Sequence, residues 1–111
     1  MAALNTTVVG LTGSTVTYTP ASGGGDTCET GAGVVLLVKN GDASSHTVTL
    51  VTPEVVDGDL AVADRAVTVA AGAERAIPVT GRYRNPSTGR AAITYDAVTS
   101  VTVAVLRVPA L

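Results

Sequence analysis

"VVLLVKNGDASSHTVTLVTP", residues 34–53, decides the fold. Its first part, running to Asn40, is a continuous apolar stretch of Val and Leu, as expected of a central strand covered on both sides. Its last part, from His46, alternates Thr with Val or Leu, which is the pattern of a strand with one face packed inward. The polar "NGDASS" at 40–45 reads as a hairpin loop with Asn-Gly near its start. β-Branched residues dominate, and no capped 3.6-residue repeat is present.

The same period of two recurs on either side. "STVTYT" (14–19), "AVTVA" (66–70) and "SVTVAVLRV" (100–108) alternate larger apolar residues with Thr, Ala or Ser. Turn chemistry separates them: "ASGGGDT" (21–27), "PEVVDGD" (53–59), "AAGAE" (70–74) and "RNPSTG" (84–89). About eight short strands are predicted, near 6–10, 14–19, 33–39, 46–52, 66–70, 74–80, 91–95 and 100–108. Strands and turns without helices predict an all-β chain, a single antiparallel β-sandwich of jelly-roll or immunoglobulin-like type. Residues 1–111 form one domain, with 1–10 as an N-terminal arm and 20–32 as a Gly-rich loop. Parity sends Val48 with Leu50, Val67 with Val69, Ile77 with Val79, Ile93 with Tyr95, and the row Val101, Val103 and Val105 to the inside. The outer positions of the last strand are then Thr102, Ala104 and Leu106, where soluble monomers usually place charge.

Composition narrows the function classes. Charged residues are 14% of the chain and aromatics 3%, with no Phe or Trp, so the core is built from Val, Leu, Ile and Ala. A net charge of −2 argues against a nucleic-acid binder, which needs a basic surface. The arginines of "GRYRNPSTGR", Arg82, Arg84 and Arg90, read as a solvated or salt-bridged rim. Cys28 is the sole cysteine, so no disulfide within the chain is expected. The opening "MAALNTTVVG" lacks a signal-peptide pattern, and no apolar run reaches membrane-spanning length. The expectation is a product made and kept in a cytoplasm, or assembled there into something larger, without membrane partners.

No catalytic constellation emerges. Cys28 and His46 are the only candidates for a nucleophile and its base, and they read as a loop thiol and a strand-end imidazole at the surface. A structural zinc site lacks ligands. Asp57, Asp59 and Asp64 lack the ligand spacing of a calcium loop and read as solvated turn carboxylates. Asn5-Thr6-Thr7 fits a glycosylation triplet but has no secretory context. Neither a phosphate loop nor a ranked carboxylate pair is present. The expectation is a non-enzyme with no metal, cofactor or small-molecule substrate.

From "VVLLVKNGDASSHTVTLVTP" through "VDGDLAVADRAVTVAAGAERAIPV" to "ITYDAVTSVTVAVLRV", residues 33–108 resemble small virion proteins of tailed bacteriophages, particularly those of actinobacterial hosts. The shared features are the "LLVKN" strand, the "VDG…LAVADR.VTV" middle and the closing "VTSVTVAVLRV" strand. Asp59 stands here as an insertion, Ala71 replaces a frequent Pro, and the Gly-rich first third matches less clearly. The resemblance implies a capsid decoration (cementing) protein on the outside of the head, a homotrimer that clamps the major capsid protein. On that reading the shell-contacting segments are residues 1–10, with Leu4, Thr6 and Val8, and the "ASGGGDTCET" loop, with Asp26 and Cys28. Thr102, Ala104 and Leu106 complete the expected interface. Deleting residues 1–10 is expected to abolish shell binding while the sandwich still folds. A head–tail connector, tail-tube or minor tail protein, and a carbohydrate-binding adhesion module, stay open as alternatives.

Overall fold

The computed structural model describes residues 2–53 and 55–109. Two sheets pack face to face as a β-sandwich. The first sheet orders β1 (Ala2–Ala3), β4 (Asp26–Cys28), β12 (Arg90–Tyr95), β6 (His46–Leu50) and β9 (Arg65–Val69), with β11 (Arg84–Asn85) also on β12. The second orders β10 (Glu74–Pro78), β5 (Val34–Asn40), β13 (Val101–Arg107) and β2 (Thr6–Val8), with β3 (Thr19–Pro20) also on β13. A small ribbon of β7 (Val55–Val56) and β8 (Leu60–Ala61) stands apart, and Gly81–Tyr83 makes one 3-10 turn.

The eight predicted strands fall close to observed ones except for 14–19, of which only Thr19 enters a strand. The sheets are mixed rather than purely antiparallel, because β1 runs parallel to β4 and β2 parallel to β13. Residues 2–8 therefore do not form a detached arm. They cross from one sheet to the other and give each a strand, so removing residues 1–10 would strip strands from both sheets. Within 20–32, residues 26–28 are a paired strand, not loop.

The "NGDASS" segment is also not a hairpin. Strands β5 and β6 lie in different sheets, since β5 is flanked on both sides by β10 and β13. Residues 41–45 thus carry the chain across the sandwich, and residues 70–73 do the same between β9 and β10. Asn40, almost wholly buried, stitches the two crossings together. Its amide Nδ2 donates to the carbonyls of Ser44 (2.9 Å), Val69 (3.0 Å) and Ala70 (3.4 Å). Its Oδ1 accepts from the Asp42 N–H (3.0 Å), and its own N–H donates to Ala73 O (2.9 Å).

Between the sheets the inward parity rows meet: Val48, Leu50, Val69, Ile77, Val79, Ile93, Val101, Val103 and Val105 are buried, with Val67 and Tyr95 partly covered beside them. Leu36 and Val38 of β5 join them. Each fully buried Val, Leu or Ile contributes about 1.5–3 kcal/mol. Gly33 is required where β5 begins. Its φ is +79°, and a Cβ there would lie 2.3 Å from the Val108 carbonyl oxygen. That close approach permits the hydrogen bond from Val108 N–H to Gly33 O, 2.9 Å.

Candidate interaction surface

The outer face of the second sheet follows from its registers. Across β10, β5 and β13, one row aligns Pro78, Val35 and Leu106, and the next aligns Ala76, Leu37 and Ala104. Six uncharged residues thus lie side by side on the face that points away from the core. Val35, Leu37 and Leu106 are half-buried, Ala104 is buried, and Ala76 and Pro78 are exposed. Run-length reasoning expected β5 to be covered on both sides; the structure covers Leu36 and Val38 on one face and leaves Val35 and Leu37 half-open on the other.

The third row holds the charge: Glu74, Lys39 and Thr102. Tyr18 reaches over it. The Lys39 ammonium sits 4.5 Å from the Tyr18 ring centroid, and the Tyr18 hydroxyl donates to the Glu74 carboxylate. The lone cation and anion of the sheet face are thereby engaged with the chain itself.

Beside this face, β2 and β3 pair with different parts of the same edge of β13. A recess of about 280 Å³ opens there, lined by Ala3, Leu4, Asn5, Thr17 and Val103 to Val105. Residues 9–18, between β2 and β3, present Leu11, 85% exposed, with Val8, Val16 and Val108 as further exposed apolar side chains. Leu11 belongs to no predicted strand, whereas Val16 falls in the one predicted at 14–19, of which only Thr19 enters a strand.

The eight interface residues expected from sequence are divided by the fold. Val8 is exposed, while Thr6, Thr102 and Leu106 are half-buried. Leu4 and Ala104 are buried and line the recess. Asp26 and Cys28 are fully buried and present nothing to a partner. Their placement in an exposed loop is corrected by pairing, because β4 is held between β1 and β12.

Asp26 Oδ2 accepts from the Tyr95 hydroxyl (2.7 Å) and from the Ser22 N–H (3.2 Å), whereas Oδ1 has no partner among the described residues. Burial foremost, and then this carboxylate, push the Tyr95 phenol upward from its ordinary value. Burial likewise pushes the Cys28 thiol up to about 11, so it is a protonated, inert sulfur at neutral pH.

His46 is not a surface imidazole either. Its ring is buried between two carboxylates, with Nε2 2.9 Å from Asp42 Oδ2 and Nδ1 3.3 Å from Asp96 Oδ1. The hydrogen bond to Asp42 is the main cause of its raised pKa, and the same contact lowers that of Asp42. Cys28 and His46 belong to opposite ends of one sheet. Cys28 pairs with Ala91 at the start of β12, and His46 lies beyond Val48, the partner of Tyr95. Some six residues of strand, about 20 Å, separate them, too far for a nucleophile and its base.

The three arginines grouped in sequence part company. Arg90 turns inward: its Nη2 donates to Leu4 O (2.9 Å) and Thr27 O (3.3 Å), and its Nε to Thr27 Oγ1 (3.1 Å). Arg82 and Arg84 are exposed. Among the described residues no group of three or more His, Cys, Asp or Glu is placed to hold a metal, and Asp64 Oδ1 instead accepts from the Thr52 N–H, 2.8 Å. No described helix is long and apolar enough to cross a membrane. These features define a small β-sandwich with two uncharged rows on the outer face of one sheet. Neither a protein-family model, nor a curated protein, nor a solved structure matches the chain.

Proposed function

We propose that this protein works by association alone, as a decoration protein on the outside of a tailed-phage head. The observation that carries the association is the uncharged face formed by Val35, Leu37, Ala76, Pro78, Ala104 and Leu106. A flat face of small and medium apolar side chains packs closely against another protein surface and costs little desolvation of charge. The phage head comes from the sequence resemblance across residues 33–108, a stretch that contains all six residues of that face. Leu11 and Val8, both exposed, offer further apolar contact outside that face. Trimerisation multiplies modest individual contacts by avidity, so each subunit needs only weak binding.

The test is co-sedimentation of the purified protein with heads assembled from the major capsid protein of the same phage. Saturable binding at a fixed ratio to the shell subunits is expected. It should be lost in the Leu37→Lys/Leu106→Lys double variant, with the variant's β-sheet circular dichroism retained. Light scattering should give a mass near three times 11.0 kDa. Absence of co-sedimentation overturns the shell assignment, and a ring of six or twelve subunits favours a connector or tail protein.

A further inference from the structure

On the flank of the sandwich, β9 and β10 each have a single neighbour among the described residues, β6 and β5, and so each leaves one edge open. A cleft of about 480 Å³ lies between these edges. Val67, Ile77 and Tyr83 form its apolar lining, and Arg65, Arg75 and Arg82 contribute three guanidinium groups. All three arginines are exposed, and among the described residues none makes an ion pair with a carboxylate. Of the acids next to these arginines in sequence, Glu74 accepts from Tyr18 and Asp64 accepts from Thr52. Three of the seven cationic residues of a net-negative chain thus converge on one cleft.

We propose that this cleft binds an extended acidic segment of a partner protein, added as a strand along β9 with its carboxylates on Arg65, Arg75 and Arg82. Strand β9 is the better template, because Pro78 deprives β10 of a backbone donor. Main-chain hydrogen bonds along an open edge give affinity without regard to sequence, while side-chain contacts at alternate positions give selectivity. Guanidinium groups meet carboxylates with two parallel hydrogen bonds, which favours a peptide bearing alternate Glu or Asp. The apolar lining accepts the side chains between them. This site lies on the flank and meets the outer sheet face only at Ala76 and Pro78 of its rim; it rests on the arginines and stands whether or not the shell reading does.

The probe is a fluorescein-labelled octapeptide alternating Glu and Thr, followed by anisotropy, with its Gln-Thr counterpart as control. Saturable binding of the Glu peptide is expected, at least tenfold weaker for the Gln peptide and for the Arg65→Gln/Arg75→Gln double variant, and weakened by added salt. Lys39→Gln, on the other face, should leave binding unchanged. Amide chemical-shift changes in the unaltered protein should centre on residues 65–69 and 74–78. No saturation at millimolar peptide overturns the proposal. So does equal binding of the two peptides, a shift map elsewhere, or tighter binding of an oligothymidylate at the same residues.

Discussion

The side-chain amide of Asn40 donates to the Val69 carbonyl across 3.0 Å, joining the last residue of a strand in one sheet to the last residue of a strand in the other. The bond is buried, and the neighbouring bonds to Ser44 and Ala70 give the same side chain three backbone acceptors. Asn40→Leu fills the volume but orphans those acceptors. A loss of about 1–3 kcal/mol is expected for the buried carbonyls, read as a lower urea midpoint with an unchanged slope. A variant as stable as the parent would show that water replaces the amide.

Arg90 performs a similar task for the N-terminal residues. Its guanidinium spans Leu4 O, Thr27 O and Thr27 Oγ1, so it holds β4 and the segment between β1 and β2 together. Arg90→Ala should reduce stability by about 1.5–3 kcal/mol, the range for hydrogen bonds from charged groups. Hydrogen exchange should accelerate first at Leu4, whose N–H donates to Thr27 O at 2.8 Å. Uniform acceleration across both sheets would mean that the segment is not a separately held unit.

His46 makes stability depend on pH. Its folded pKa lies above the ordinary 6.5 because Asp42, and then Asp96, favour the imidazolium. A raised folded pKa means stabilisation that is complete below 6.5 and disappears as pH rises through the folded value. The lowered pKa of Asp42 works on the other side, and its contribution is lost as acid protonates the carboxylate. The difference in Tm between the parent and His46→Gln should therefore be largest between about pH 5 and 6.5 and should shrink at higher pH. A difference that grows from pH 7 to 9 would contradict the imidazolium bridge.

Cys28 should behave as a core residue. It is fully buried with a pKa near 11, so the native protein should resist a thiol-reactive disulfide reagent at pH 8 and react only once unfolded. Labelling at the rate of a free thiol in the absence of denaturant would place it at the surface after all.

The strands were legible because burial imposes a period of two. The row Val101, Val103 and Val105 announces its inward face, and the outer positions Thr102, Ala104 and Leu106 announce an uncharged one. What stayed hidden was which sheet each strand joins. Asn40-Gly41 and Ala71-Gly72 carry the same turn chemistry whether a chain doubles back within a sheet or arches to the facing one. Strands of two or three residues, such as β1 and β4, are too short to show any period. Asp26 and Cys28 were misplaced for that reason, since "GGGDTCE" has the composition of a loop and only pairing with β1 and β12 buries it. The cleft on the flank was equally invisible, because Arg65 and Arg75 flank a crossing and meet Arg82 only in three dimensions.

Strand β13 occupies the middle of its sheet, yet its neighbours β2 and β5 come from far earlier in the chain. Loop-closure entropy must be overcome before either pairing is rewarded, so the topology has high contact order and folds slowly for its size. During synthesis no shorter stretch can close the second sheet until the ribosome has released residue 107. Until then Val35, Leu36, Leu37 and Val38 are bare on a strand lacking one neighbour, and the nascent chain is at its most prone to misassociation.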